Sequence, residues 1–188
     1  MSTVVENTQV NGIDIDLLTQ AIESIKADSP KGQTRWQVTS HWRGGTRSDT
    51  SVKSCFIGGQ RIAKDFTLRI DEPYELCGSN QFANPQEYLL AALNACMIVG
   101  YSAVCALQGI TLEELRIETE GDIDLRGFLG IDPSVKAGYD GLRYTVHIKG
   151  AATAEQFQRV HEIVTATSPN RFNVATAIAL KSQLVVES

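Results

Sequence analysis

A chain of 188 residues with 43% hydrophobic content is long enough for one domain with a proper core and too apolar for a disordered tract. Its net charge of −5 is scattered, with no basic stripe to follow a phosphate backbone, which excludes nucleic acid as an expected partner. The four cysteines, Cys55, Cys77, Cys96 and Cys105, form no Cys-x-x-Cys pair and do not cluster with His41, His147 or His161, so zinc is not expected and reduced thiols are.

The opening MSTVVENTQVNG carries no basic or apolar leader, so no signal peptide is expected, and the first dozen residues read as disordered. Ile13–Ala27 has a helical apolar stripe with Asp14 or Asp16 as its cap, and 28–32 ends it. Thr34–Trp42 reads as a strand, Gly44-Gly45 as a turn, Asp49–Ile57 as the hairpin partner and Arg61–Ile70 as a third strand. A polar loop, 71–83, leads to a helix over roughly 84–108 that starts on Asn84-Pro85 and stops at Gly109. Leu112–Leu125 and Leu142–Ile148 alternate as strands around a Gly- and Pro-containing loop. Thr153–Thr165 is an amphipathic helix, and Ala179–Val186 alternates as a final strand. Strands segregate from helices, so the class is α+β with a largely antiparallel sheet.

Leu89–Leu107 holds no charge over 19 positions, close to the length of a bilayer span. Asn94, Gly100 and Ser102 interrupt it and no Lys or Arg flanks it, so a long buried central helix, not a membrane segment, is expected. A helix apolar on every side needs cover on every side, and a second copy of the chain is the natural source.

Cys96 ends the run Asn84-Pro85-Gln86-Glu87-Tyr88-Leu89-Leu90-Ala91-Ala92-Leu93-Asn94-Ala95-Cys96. By residue type alone it is a small buried hydrophobe. The run, however, resembles the active-site helix of the OsmC/Ohr family of thiol-dependent hydroperoxide reductases, and the likeness extends from about Trp42 to the C-terminus. It includes Asp71-Glu72-Pro73 before the helix and Ser168-Pro169 after the later one. On this reading, residues 1–33 form an N-terminal extension with one amphipathic helix and 34–188 an OsmC-like domain. The resemblance implies an OsmC-like fold in an intertwined homodimer, cytoplasmic, without metal or organic cofactor. It also implies a thiol peroxidase: Cys96 reduces organic hydroperoxides or hydrogen peroxide.

Such a cysteine attacks as a thiolate, and apolar neighbours disfavour that charge, so a cation is needed. The family uses an arginine of the first hairpin, oriented by a glutamate near the helix start. Arg43 and Arg47 are both candidates here, with Arg47 preferred, and the plain alternative for each is a solvated turn arginine. Glu87 matches the acidic position of one branch; the organic-hydroperoxide branch has its acid where Gln86 stands. In a straight helix Glu87 and Cys96 lie about 180° apart, and Glu87 has a local alternative role at the helix dipole. The family's second cysteine, which resolves the oxidised thiol, is Ser168 here. Cys105 lies about 13 Å along the helix from Cys96, out of bridging reach. Resolution then falls to Cys77 or, as expected here, to an external thiol reductant. The competing function is a non-catalytic dimer binding a small apolar ligand beside Cys96.

Overall fold

The computed structural model describes residues 9–187. The chain divides into two compact units, up to Ala91 and from Ala92, so the boundary falls inside the long central helix.

The first unit opens with a hairpin of β1 (Gln9–Val10) and β2 (Ile13–Asp14). Asn11 and Gly12 turn it with φ of 55° and 75°, the paired left-handed conformation that Asn-Gly supplies in two-residue hairpins. Residues 9–12 are therefore ordered, against expectation; residues 1–8 lie outside the described residues. Helix α1 (Ile15–Ala27) follows, with the Asp14 carboxylate accepting the Leu17 N–H at 3.0 Å.

The sheet is antiparallel: β3 (Thr34–Trp36) and β4 (Thr39–Trp42) lie along one edge of β5 (Ser48–Ile57), and β6 (Gln60–Ile70) along the other. The strand expected over Thr34–Trp42 is thus two strands. Pairing advances from Trp36 to Thr39 on one side but from Cys55 to Ser51 on β5, and that mismatch of one residue breaks the ladder. Trp36, Val38, Trp42 and Phe66 remain exposed.

Helix α2 (Pro85–Leu107) begins in the first unit and ends in the second. Gly109 stops it at φ 68°, beyond easy reach of other residues. In the second unit α2 packs with the antiparallel hairpin β7 (Leu112–Gly121) and β8 (Leu142–Gly150) and with α4 (Ala154–Thr167). Leu93, Met97, Tyr101 and Cys105, four residues apart, form the buried stripe of α2 against Ile117, Val160 and Val164. Ala106 is buried beside that stripe, whereas Ile98, Val99 and Leu107 are exposed in the single chain, on the sides for which cover by a second copy is expected.

Three further differences concern ends. The strand expected to reach Leu125 stops at Gly121, and Leu125–Phe128 is a short helix, α3, capped by Asp124. Beyond α4 a further helix, α5 (Pro169–Ala175), starts on Ser168-Pro169, a cap followed by a proline at the first helical position. The tail expected as a strand over Ala179–Val186 has no regular structure, with Leu180 92% exposed. Alternation makes a face, but a strand also needs a partner ladder, and no strand among the described residues pairs with this segment. The class is α+β with antiparallel sheets, as expected.

Candidate functional site

The start of α2 is closed by a reciprocal pair. Asn84 Oδ1 accepts the Glu87 N–H at 2.8 Å, and Glu87 Oε2 accepts the Asn84 N–H at 2.7 Å. This capping box gives the Glu87 carboxylate the local role that its position in the first turn allowed.

Cys96 is half-buried on α2, and the Ser168 hydroxyl donates toward its Sγ at 3.5 Å. Ser168 is itself buried, and three sets of bonds hold it there. Its Oγ accepts the Arg171 N–H at 3.5 Å as the cap of α5. Asn170 Nδ2 donates to the Ala92 carbonyl of α2 at 2.8 Å. Arg171 donates through Nε to the Tyr144 hydroxyl at 3.1 Å and through Nη1 to the Thr165 carbonyl at 2.9 Å. The step between α4 and α5 is thereby pinned to both α2 and β8. A hydroxyl in this position can donate to a sulfur anion, but it cannot form a disulfide.

The other cysteines differ in kind. Cys105 is fully buried, and burial pushes its thiol up, which makes it inert. Cys55 is buried on β5, in register with Trp36 of β3. Cys77 is exposed, at φ 63° after the 3-10 turn Tyr74–Leu76. The Tyr101 hydroxyl meets His161 Nδ1 at 2.5 Å. Burial, with Tyr144 adding and Arg171 opposing, pushes that phenol up to about 12. Tyr101, Tyr144, Val146, Phe157 and His161 line a cavity of about 520 Å3; Cys96 is not among its lining residues.

In the first unit the Arg43–Arg47 turn is closed by the Arg43 N–H on the Arg47 carbonyl at 2.9 Å. Arg43 Nε pairs with Asp49 at 2.9 Å, whereas among the described residues Arg47 Nη2 reaches the Arg43 carbonyl, at 3.4 Å. Neither Asn170 nor Arg171 was anticipated, although the Ser-Pro step before them is a helix-start signal. Among the described residues, no group of three or more His, Cys, Asp or Glu side chains is arranged to hold a metal.

The family described as OsmC-like protein matches residues 78–183, more than half of the chain. Among solved structures, an OsmC-like protein from Mycoplasma pneumoniae superposes with a TM-score of 0.56 at 14% identity, covering 75% of this chain and 87% of its own. An OsmC-like protein of unknown function from Vibrio cholerae does so with a TM-score of 0.53 at 16% identity, covering 76% and 94%. No curated protein matches the chain.

Proposed function

The chain belongs to the OsmC-like protein family, and on that premise we propose that it reduces organic hydroperoxides or hydrogen peroxide through Cys96. The observation that carries the reading is the Ser168 contact. The position implied by the family resemblance for a second cysteine is held against the sulfur of the first, and the site keeps a hydroxyl donor there.

In this reading the Cys96 thiolate attacks the terminal peroxide oxygen. An S–O bond forms, the O–O bond breaks, and the leaving alkoxide or hydroxide takes a proton to become alcohol or water. The sulfur loses two electrons and becomes a sulfenic acid. Because Ser168 cannot condense with it, an external thiol forms a mixed disulfide with release of water, and a second thiol frees Cys96. Arg47, or Arg43 in its place, supplies the cation for the thiolate, and Glu87 orients it. The working unit is a cytoplasmic homodimer, which would cover the exposed apolar face of the first sheet and of α2.

The test is to trap the sulfenic acid after one equivalent of peroxide. Adduct on Cys96, loss of peroxide consumption in Cys96→Ser and its retention in Cys105→Ser are expected. Equal consumption by Cys96→Ser sinks the reading. The missing second thiol at Ser168 favours the competing reading, a dimer that binds a small apolar ligand without turnover; absence of any adduct selects it.

A further inference from the structure

The protein is acidic overall, with a net charge of −5, yet one cavity reverses that sign. A space of about 370 Å3 in the first unit is lined by Arg43, Arg47 and Arg69, with Asp49 as its one carboxylate. Arg43 bonds Asp49 at 2.9 Å, and Arg69 stands opposite Asp49 in the β5–β6 register without an ion pair to it. Arg69 also lies over the ring of Phe82, 5.6 Å from its centroid. Among the described residues no carboxylate forms an ion pair with Arg47 or Arg69. Arg43, Arg47 and Arg69 are solvent-exposed, so their mutual repulsion is weakened by screening, and with Arg43 paired to Asp49 two guanidinium charges are left facing the space. An oxyanion would pair with those charges and suit the planar donor fork of arginine.

A second observation concerns how the cavity is built. Asp71 is fully buried and forms no ion pair among the described residues; its carboxylate accepts the Thr46 hydroxyl at 2.8 Å, the Ser79 hydroxyl, the Ser79 N–H at 2.9 Å and the Gln81 N–H at 3.5 Å. Burying a carboxylate is costly unless such bonds satisfy it. Here the bonds tie together the two walls of the cavity. Thr46 precedes Arg47 on the hairpin tip, and Gln81 and Phe82 lie on the facing loop. The loop is packed so closely that a Cβ at Gly78 would stand 1.7 Å from the Glu72 carbonyl oxygen.

We propose that this cavity binds a small organic oxyanion, a phosphate or carboxylate group on an apolar body that rests against Ile70 and Phe82. The site shares Arg47 with the peroxide reading but does not require Cys96.

Calorimetric titration of full-length Cys96→Ser protein tests it, at constant ionic strength held with sodium chloride. The probes are inorganic phosphate, phenyl phosphate and benzoate. Saturable binding at one site per chain is expected, tighter for phenyl phosphate than for inorganic phosphate. Comparison of phenyl phosphate with benzoate assigns the head group. Arg69→Gln should weaken binding at least about tenfold, and Arg61→Gln, outside the cavity, should leave it within about twofold. Asp71→Asn should weaken binding with all three arginines retained; if that variant unfolds, Thr46→Val replaces it. No saturable binding by any probe overturns the proposal, as does equal weakening by Arg61→Gln, which would mark a diffuse field. Because Cys96 is absent from the tested protein, failure of the peroxide reading leaves this result intact. A wild type that consumes peroxide but binds no oxyanion overturns this proposal alone.

Discussion

Ser168→Cys puts a thiol where a hydroxyl now stands 3.5 Å from Cys96 Sγ. A disulfide needs the two sulfurs at about 2 Å, so the new side chain must close about 1.5 Å, within the reach of a rotamer change and a small shift at the α4–α5 step. Two effects of opposite sign follow. In the reduced variant the Ser168 cap of α5 is lost, at a cost of about 1 kcal/mol. In the oxidised variant the bridge closes a loop between residues 72 apart, and the chain-entropy relation gives about 4 kcal/mol of stabilisation. Urea unfolding should therefore place the oxidised form about 4 kcal/mol above the reduced one and about 3 kcal/mol above the unmodified protein. Intact mass after one equivalent of peroxide should fall by two hydrogens in the variant and rise by one oxygen in the parent. A persistent added oxygen in the variant refutes the argument, as does an oxidised form no more stable than the reduced.

The remaining expectations are simpler. The Asp71 carboxyl is held well below the usual carboxylate range, first by the Ser79 hydroxyl and further by the Glu72 N–H and the Thr46 hydroxyl. A depressed acid contributes stability above its unfolded value of about 3.9 and loses it as pH falls toward the folded value. Asp71→Asn should flatten the loss of stability below about pH 4, read as urea midpoints at pH 7 and pH 3; an unchanged acid limb contradicts it. Met97 is fully buried at the centre of the second unit's core, so Met97→Ala should cost about 2–5 kcal/mol in the same assay, and a loss under about 1 would show that the core collapses around the space. The exposed Trp36, Trp42, Phe66, Leu180 and Leu184 call for cover by a second copy. Sedimentation at micromolar concentration should show a dimer, and a stable folded monomer would end that reading.

The candidate site was legible only where a motif is local. Cys96 stands in a continuous helical run, and Ser168 before a proline; the resemblance to the OsmC/Ohr family, carried by those local motifs, singled out both. Their contact across 72 residues could not be read there, because it is made by Asn170 on Ala92 and Arg171 on Tyr144 and Thr165. Arg69 gave no signal, being one polar residue in an alternating strand. Asp71 gave little more, since nothing in a polar loop says which carboxylate will be buried.

By itself the sequence determined where chain segments start, stop and turn. Asn84 and Glu87 close one helix start, Thr153 and Gln156 another, and Gly109 ends α2, because caps and left-handed residues act over a few positions. The same local rules set the alternating strands and so the α+β class. Tertiary structure decided whatever depends on a partner distant in sequence. It broke the first strand where β5 advances by an extra residue, chose one stripe of an evenly apolar helix as core, and left the alternating tail without a ladder. It also set a serine against Cys96 and three arginines around one cavity. Periodicity specifies a face but carries no address for the surface that will cover it; that is settled only when packing brings distant segments together.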